Sequence, residues 1–317
     1  MKRALLIGID EYDRFTSLSG CVNDVNSIFP LLAFNEDQSR NFDCLSLTSD
    51  INRITRQSFV ANLINLFSPG ADVALLYFSG HGCRYNNDVV LVTQDGNVRD
   101  EGIPLSQILG YVNNSSIPEI VVILDCCFSG AAGEVPQIGG STSVLRQGFS
   151  ILTSSRNDQV SEELPEGRGL FSELLCGALD GGAADVIGKI NIAGIYAYLS
   201  ESFSPWEQRP TFKANLDRLN SLRNCNPSIS FLDLRRLMSL FPNPYDLYPL
   251  DPSYEPTSKP SHPEHEEIFL LLQRCRNSKL IEPVETEHMY YAAVNSTSCK
   301  LTPLGIHYWR MASNSLL

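Results

Sequence analysis

Short apolar runs alternate with amphipathic stretches through about the first 215 residues of the chain. Strands that are buried on both faces form continuous apolar runs of this kind, and helices between them are typical of a parallel sheet. The predicted strands are 4–9, 44–48, 73–78, 120–124, 149–153 and 211–214, and the predicted helices are 24–34, 55–67, 104–112 and 169–179. The pattern therefore predicts an α/β fold with a mostly parallel sheet of about six strands between helices.

The pattern changes after about residue 220. Residues 229–241 fit one amphipathic helix, and residues 242–263 hold seven prolines, which predicts an extended linker. The elements predicted beyond it are a helix at 265–278, strands at 279–284 and 299–302, and a last helix at 303–312. We therefore expect a main α/β domain over 1–220, a helix and proline-rich linker over 221–263, and a small α+β module over 264–317.

Composition and charge narrow the classes of function. The chain is 43% hydrophobic and 19% charged, as expected of a globular protein, and no apolar run approaches the roughly 20 residues that cross a membrane. The net charge is −12, and Lys and Arg do not cluster in the first 220 residues, which argues against a nucleic-acid partner and fits a basic peptide. The nine cysteines include no C-x-x-C pair, so no metal site is expected.

The start of the chain and the cysteines bear on location. The apolar run 4–9 follows Lys2 and Arg3 but is too short for a signal peptide, and Asp10 and Glu11 end it without a small-residue cleavage site. Scattered cysteines in odd number favour reduced, buried thiols. We expect the protein to be cytoplasmic.

Two residues of complementary chemistry follow predicted strands. His81 is the only histidine in the first 261 residues and comes after strand 73–78, and Cys127 comes 46 residues later, after strand 120–124. Strands of a parallel sheet end at one edge, and a thiol needs a nearby base to become a thiolate at neutral pH. Taken singly, His81 also fits a surface turn and Cys127 a buried structural cysteine. Taken together, they predict a nucleophile, Cys127, and its general base, His81.

These residues lie in motifs that resemble those of the caspase superfamily of cysteine peptidases. Ser79-Gly80-His81-Gly82 is similar to its histidine motif, and Asp125-Cys126-Cys127-Phe128-Ser129-Gly130 has the Asp-x-Cys-x-Ser-Gly pattern of the metacaspase and paracaspase branch. The motifs of that branch also resemble residues 18–25, 149–155 and 169–171. The resemblance covers roughly residues 1–220 and implies a caspase-like fold.

The resemblance also implies a covalent mechanism. Cys127, rather than Cys126, takes the place of the catalytic cysteine. The backbone N–H groups of Gly82 and Cys127 would form an oxyanion hole, in which one donor can contribute about 3 kcal/mol. No clear third residue orients His81, and the family often works with a dyad.

One alternative is a catalytically silent scaffold that acts by protein–protein binding. Another is a nucleotide-binding α/β protein, but no glycine-rich phosphate loop follows the first strand.

Two aspartates are expected to select the substrate. In the metacaspase-like branch, the residues that match Asp24 and Asp125 form an acidic pocket for the side chain that precedes the cut. Paired carboxylates suit the planar guanidinium of arginine, so we expect protein or peptide substrates cut after Arg, with Lys second. Each aspartate also has a plainer interpretation, Asp24 as a helix cap and Asp125 as a turn residue.

A long segment rich in Gly, Ser and Thr, 131–148, follows the cysteine motif. An Arg-specific enzyme could cut itself there after Arg146, or after Arg156 or Arg168 in the next loop, and an uncut flexible loop is the alternative.

Some metacaspase-like enzymes need calcium, but the chain has no EF-hand loop and we expect no cofactor. For a bacterial protein, the resemblance implies a role in stress or defence.

The last segment, 264–317, resembles a winged-helix domain in its order of helix, strand, strand and helix. Residues 301–305, Leu-Thr-Pro-Leu-Gly, fit the turn into its final helix. Because few basic residues are present, regulatory protein docking or autoinhibition is expected rather than DNA binding. The alternative is an appendage that only stabilises the main domain.

Overall fold

The computed structural model describes residues 1–85, 88–97, 100–126, 145–154, 169–203 and 210–314. The chain divides into two compact units. The N-terminal unit holds Met1–Ala184 and Lys189–Asn226, and the C-terminal unit holds Asp185–Gly188 and Pro227–Leu317. The main division thus falls a few residues after the predicted one, and the short segment 185–188 belongs with the later residues. None of the helices within the described ranges is long and apolar enough to span a membrane.

A six-stranded sheet forms the centre of the N-terminal unit. Its strands are β1 Lys2–Gly8, β2 Phe42–Thr48, β3 Val73–Ser79, β7 Glu119–Asp125, β8 Phe149–Thr153 and β10 Thr211–Asn215. They stand in the order β10-β8-β7-β3-β1-β2, and only β10 runs antiparallel to its neighbour. Every residue of β3, β7 and β8 is buried, which explains their continuous apolar runs. The predicted sheet is confirmed.

Helices cover both faces of this sheet. Their bounds are α1 Cys21–Ala33, α2 Arg56–Leu66, α3 Leu105–Asn114, α4 Leu170–Gly177 and α5 Ile192–Ser202, and a π-type turn, Ala178–Gly182, continues α4. Leu76 of β3 packs in one core cluster with α2 and α3, and its neighbour Tyr77 packs in the other with α1, α4 and α5. Successive strand residues point to opposite faces, so each face of the central strands packs against its own set of helices. The pattern predicted α1 to α4 closely but not α5.

Short strands outside the main sheet were not predicted. β4 Gly82–Tyr85, β5 Asp88–Asn97 and β6 Asp100–Pro104 form an antiparallel sheet that begins directly after His81. This small sheet packs Val89, Leu91 and Ile103 into the cluster of α2 and α3. Elsewhere, β9 Lys189–Ile190 pairs with β11 Arg223–Asn224.

The register of the main sheet gathers chemically useful residues at one edge. Gly8 pairs with Ser79, and Ser79 pairs with Asp125, so these three residues lie side by side where β1, β3 and β7 end. Gly8 also allows α1 to begin against the end of β1, because a Cβ there would lie 2.4 Å from the carbonyl oxygen of Cys21. This is the carboxyl edge of the strands, where open α/β sheets place their ligand sites.

The C-terminal unit combines helices with a small antiparallel sheet. Its elements are α6 Phe231–Leu240, β12 Tyr248–Pro249, a 3-10 turn Pro252–Tyr254, α7 Pro263–Asn277, β13 Ile281–Val284, α8 Met289–Val294, β14 Ser298–Leu301 and α9 Pro303–Ser313. The strands stand in the order β12-β14-β13. The likeness to a winged-helix domain stays a prediction.

The segment 242–263, predicted as an extended linker, is mostly exposed but carries apolar side chains that pack. Leu250 and Tyr254 are buried in the core of the C-terminal unit together with Phe241. The indole N–H of Trp309 donates to the carbonyl of Phe241 at 2.8 Å. Prolines interrupt regular backbone hydrogen bonding, but they leave the apolar side chains between them free to pack. The segment is therefore irregular and anchored at Leu250 and Tyr254, and its role as a linker stays a prediction.

Candidate active site

His81 stands in the turn between β3 and β4, where both ends of its own backbone are fixed. Its N–H donates to the hydroxyl of Tyr12 at 2.8 Å, and its carbonyl accepts the N–H of Val92 at 3.0 Å. The ring centroids of Tyr12 and His81 are 4.8 Å apart. Gly80 makes this approach possible, because a Cβ there would lie 2.7 Å from the Tyr12 hydroxyl oxygen. The turn therefore holds the imidazole of His81 in one place.

A backbone carbonyl orients the imidazole itself. Nε2 of His81 lies 2.7 Å from the carbonyl oxygen of Thr16. Because a carbonyl oxygen can only accept, Nε2 carries the proton in this contact and Nδ1 is left as the basic nitrogen. Nδ1 is therefore the atom that can take up and return a proton.

The loop that carries Tyr12 and Thr16 is tied to the surrounding unit. The guanidinium of Arg53 forms an ion pair with the carboxylate of Asp13, with 2.9 Å between Nη1 and Oδ1. The backbone N–H of Asp13 donates to the carbonyl of Gln94 at 3.0 Å. These contacts fix the loop against β5 and against the segment before α2.

Asp24 is buried in the first turn of α1, and only 2% of it is exposed. Its Oδ2 accepts the hydroxyl of Ser79 at 2.9 Å, and its Oδ1 accepts the N–H of Gly169 at 3.2 Å. The interpretation of Asp24 as a helix cap is wrong. The first N–H groups of α1 donate instead to the carboxylate of Asp10, at 2.9 Å and 3.2 Å. Asp24 is thus directed toward the carboxyl edge of the sheet.

Asp125 is the last residue of β7 and is also buried. Its Oδ2 accepts the hydroxyl of Ser172 at 2.6 Å. The two aspartates meet at Gly169, where a Cβ would lie 3.1 Å from Oδ2 of Asp125 and 3.5 Å from Oδ2 of Asp24. The structure therefore brings together the two carboxylates that the sequence singled out, and their role in substrate binding stays a prediction.

Burial and mutual repulsion act on the two carboxyl groups. Burial, and then the charge of Asp125, raises the pKa of Asp24 from 3.8 to about 7, although the hydrogen bonds from Ser79 and Gly169 act to lower it. Burial also raises the pKa of Asp125, against the hydrogen bond from Ser172. Across the described ranges, no Lys or Arg forms an ion pair with either aspartate, and no three His, Cys, Asp or Glu side chains are grouped to hold a metal ion. A cationic side chain would relieve this repulsion.

The two cysteines that follow β7 differ in how far they can be described. Cys127, the predicted nucleophile and oxyanion donor, lies outside the described residues. Cys126 is buried, with 2% exposed, in the core cluster of α2 and α3. Its sulfur is therefore withheld from a substrate, as expected for the neighbour of a nucleophile. Gly82, the other predicted oxyanion donor, is buried at the start of β4.

Arg146, the predicted self-cleavage residue, closes the C-terminal end of α3. Its guanidinium donates to three backbone carbonyls at 2.8–3.1 Å, those of Val112, Ser115 and Ile117. Helix ends leave carbonyls without intrahelical partners, and the guanidinium satisfies them. Cleavage after Arg146 would first require these bonds to open, so self-processing there stays a prediction that the folded geometry opposes. The alternative sites, Arg156 and Arg168, lie outside the described residues.

Comparison with known families identifies the superfamily of this fold and site. The family model of the caspase domain, Peptidase_C14, matches residues 1–220. The chain belongs to the caspase family of cysteine peptidases. The predicted membership is confirmed, and with it the caspase-like fold of the sheet and its helices.

Individual relatives are more distant. Metacaspase-1 of Mycosarcoma maydis is 24% identical over 220 residues, which cover 61% of this chain and 53% of the relative. A paracaspase of Dictyostelium discoideum is 29% identical over 128 residues, 40% of this chain and 31% of that protein. Caspase-1 of Spodoptera frugiperda superposes with a TM-score of 0.51 and 14% identity, over 71% of this chain and 90% of the other. The chain spans about a third to a half of the length of the two curated relatives, and the structural likeness concerns the fold alone.

Sequence reasoning missed the residues that hydrogen-bond to His81 and Asp125. Thr16 contributes a backbone carbonyl, so its residue type carries no signal. Tyr12 and Ser172 contribute hydroxyl groups from distant parts of the chain. Tyr77 offered a detectable signal, because a tyrosine within a fully buried strand needs a hydrogen-bond partner for its hydroxyl.

Proposed function

We propose that this member of the caspase family is a cysteine endopeptidase that cleaves proteins after Arg, and second after Lys, through Cys127 and His81. The observation that carries the proposal is the convergence of Asp24 and Asp125 at Gly169. Two buried carboxylates at the sheet edge that carries His81 favour a cation and repel an acidic side chain. The planar guanidinium can pair with both carboxylates, whereas an ammonium group acts as a point charge, which ranks Arg above Lys.

The chemistry would follow from the tautomer of His81. The Cys127 thiolate attacks the scissile carbonyl, a C–S bond forms, and the backbone N–H groups of Gly82 and Cys127 stabilise the negative oxygen. The C–N bond then breaks, and the imidazolium, protonated at Nδ1, gives that proton to the departing amine. Nδ1 next takes a proton from a water molecule, whose oxygen attacks the acyl group and releases the acid and the thiolate.

The test is cleavage of a peptide library by the wild-type chain and by Cys127→Ala. We expect cuts after Arg, fewer after Lys, and no cleavage by Cys127→Ala. Cys126→Ala serves as the matched control and should retain activity, because its sulfur faces the core. Cuts after Asp would overturn the acidic pocket. A wild-type chain that cuts no peptide and is not labelled by an Arg-directed thiol-reactive probe would instead favour the silent scaffold.

Self-processing is the second part of the proposal, with Arg146, Arg156 and Arg168 as its sites. Prolonged incubation of the wild-type chain beside Cys127→Ala, followed by mass measurement of the fragments, tests it. The bonds that hold Arg146 favour cuts at the other two positions. An intact wild-type chain that still cleaves peptides would show that the loops remain uncut.

A further inference from the structure

Two buried hydroxyl groups stand in line behind the carboxylate of Asp125. The hydroxyl oxygens of Tyr77 and Ser172 are 2.6 Å apart, and Oγ of Ser172 is 2.6 Å from Oδ2 of Asp125. Tyr77 is fully buried on β3, and Ser172, 1% exposed, lies in the first turn of α4. A continuous chain of hydrogen bonds thus leads from the core of the sheet to one of the two acidic groups.

The direction of this chain depends on the charge of Asp125. An ionised carboxylate can only accept, so the single hydroxyl proton of Ser172 must point at Asp125. Ser172 then has only lone pairs to offer Tyr77, and the hydroxyl of Tyr77 must donate to Ser172. Both donors therefore point toward Asp125 when it is ionised. Hydrogen bonds in series polarise one another, which strengthens the contact to the charged oxygen.

Other acidic groups near Asp125 oppose its ionisation. The carboxylates of Asp24, on α1, and of Asp10, at the start of that helix, carry the opposing negative charge, and the neutral thiol of Cys21 faces the same group from α1. Asp24 has its own donors, the Ser79 hydroxyl and the Gly169 N–H. Ser172 donates to the Asp125 carboxylate at 2.6 Å, and the hydroxyl of Ser154 also acts to lower the pKa of Asp125. Loss of the Ser172 donor would therefore weaken the ionised form of Asp125 more than a change at any surface residue.

We propose that Ser172 and Tyr77 are positioning residues for substrate selection, whose hydrogen-bonded chain keeps Asp125 ionised and aimed so that the pocket accepts a cationic side chain at neutral pH. This proposal rests on the proposed function, because it concerns the same acidic pocket. Burial raises the pKa of Asp125 and the Ser172 contact opposes that rise, which agrees with the geometry. Neither residue reaches the reacting atoms in this proposal; both act through Asp125.

The experiment measures kcat/KM for an Arg-containing peptide between about pH 5.5 and about pH 9. Variants are Ser172→Ala, Ser172→Thr and Tyr77→Phe. For Ser172→Ala we expect the acidic limb of the profile to move up by about one pH unit, which lowers kcat/KM through KM by up to about tenfold on the acidic side of the limb and changes it little near pH 9. Tyr77→Phe should move the acidic limb in the same direction by a smaller amount. Ser172→Thr keeps a hydroxyl and should show the wild-type profile.

Controls separate a charge effect from a folding defect. Tyr254→Phe removes another buried tyrosine hydroxyl, one that contacts Tyr248 at 2.9 Å in the C-terminal unit, and should leave the profile unchanged. Alkylation of Cys127 by iodoacetamide should proceed at the wild-type rate in Ser172→Ala, because the acidic pocket is not needed for it. Should Ser172→Ala fail to fold, Tyr77→Phe, which leaves no donor without a partner, carries the test.

Two kinds of result overturn the proposal and are distinguishable. In the first, the wild-type chain cleaves Arg peptides, but kcat/KM of the variants falls by the same factor at every pH or does not fall at all. The chain of hydroxyls then does not control the charge of Asp125. If the wild-type chain cleaves no Arg peptide, the proposed function itself fails. In that case, the free energy of unfolding is measured against pH for Cys127→Ala and for the double variant Cys127→Ala/Ser172→Ala. A difference between the two pH dependences would show that the hydroxyls act on the charge of Asp125 even though the protein does not select cations.

Discussion

The hydroxyl of Tyr12 accepts the backbone N–H of His81 at 2.8 Å while the two rings lie 4.8 Å apart, centroid to centroid. Tyr12 therefore fixes both the backbone and one face of the imidazole. The carbonyl of Thr16, four residues further along the same loop, fixes the Nε2 side. One short loop thus sets the position and the tautomer of His81, the proposed general base.

Replacing Tyr12 with Phe should impair catalysis more than substrate binding. The His81 N–H would lose its acceptor, and an unsatisfied buried donor costs about 1–3 kcal/mol. We expect the free energy of unfolding to fall by about 1–2 kcal/mol and kcat to fall several-fold with KM nearly unchanged. Steady-state kinetics and chemical denaturation measure the two effects. Tyr85→Phe on β4 is the matched control, since Tyr85 is 58% exposed. Equal kinetics for Tyr12→Phe and Tyr85→Phe would show that Tyr12 does not position the base.

Replacing Asp24 with Asn should stabilise the fold at neutral pH while abolishing the preference for Arg. The pKa of Asp24 lies at about 7, above its value of 3.8 in an exposed setting. The folded state therefore takes up a proton that the unfolded chain has released, and stability falls as the pH rises from about 4 to about 7. An amide carries no charge, so Asp24→Asn should be more stable than the wild-type chain near pH 8, by about 2–4 kcal/mol, with little difference near pH 4.

Thermal or chemical unfolding at several pH values checks this expectation. Asp13→Asn is the contrasting control, because the hydrogen bond from Arg53 lowers the pKa of Asp13. The contribution of Asp13 to stability is present above the pKa of the unfolded chain and is lost as the pH falls, so its variant should show the opposite trend. An Asp24→Asn chain that is less stable near pH 8 than the wild-type chain would mean that the carboxylate is held favourably in its ionised form.

The parallel strands could be predicted because strands that are buried on both faces have a recognisable apolar sequence. Every residue of β3 and β7 is buried, so an uninterrupted apolar run was their signal. The same logic failed for β4 and β5, where Arg84, Gln94 and Asp95 break the pattern. That small sheet owes its form to antiparallel pairing with a register shift between Val92 and Asn97, a tertiary feature. Over 242–263 the prolines did mark exposed, irregular backbone, but they gave no sign that Leu250 and Tyr254 between them are packed in a core.

The candidate site divides in the same way. His81 was singled out by its place at the carboxyl end of a strand, whereas Asp24 and Asp125 were paired through the resemblance of their motifs to the metacaspase-like branch. Tyr12 and Ser172 act by contacts 69 and 47 residues along the chain, with partners that local pattern cannot name. The helix-cap interpretation of Asp24 was wrong because Asp10 reaches the helix end from the preceding loop.

Replacing Gly169 with Ala should close the space between the two carboxylates. The new Cβ would lie 3.1 Å from Oδ2 of Asp125 and 3.5 Å from Oδ2 of Asp24, where a guanidinium would have to enter. The backbone of Gly169 is extended, with φ of −71° and ψ of 136°, so alanine adopts it without strain. We expect kcat/KM for Arg peptides to fall at least about tenfold through KM, which corresponds to about 1.4 kcal/mol.

Gly110→Ala is the matched control for that variant. Gly110 lies within α3, and a Cβ there would meet nothing within 4 Å. Alanine in a helix interior is more favourable than glycine by about 0.5–1 kcal/mol, so this variant should gain stability and keep its kinetics. Unchanged kcat/KM in Gly169→Ala would show that the substrate side chain does not pass between Asp24 and Asp125.

Replacing Arg146 with Ala should destabilise the fold. The guanidinium donates to three carbonyls at the end of α3, and hydrogen bonds from a charged donor contribute about 1.5–3 kcal/mol each in favourable settings. Because the side chain is partly exposed and water can replace part of these contacts, we expect a loss of about 2–3 kcal/mol in the free energy of unfolding. Arg146→Lys cannot fork between carbonyls and should recover less than half of it.

Trypsin, which also cuts after Arg and Lys, separates the structural role of Arg146 from its role as a cleavage site. In the wild-type chain the bond after Arg146 should resist brief digestion, because cleavage requires the three carbonyl contacts to open first. In Cys127→Ala the same resistance is expected, which removes self-cleavage from the measurement. Arg146→Lys retains a trypsin site but weakens the contacts, so it should be cut there faster than Arg146 itself. Rapid cutting after Arg146 in a folded Cys127→Ala chain would show that the contacts open readily and would restore Arg146 as the leading site of self-processing.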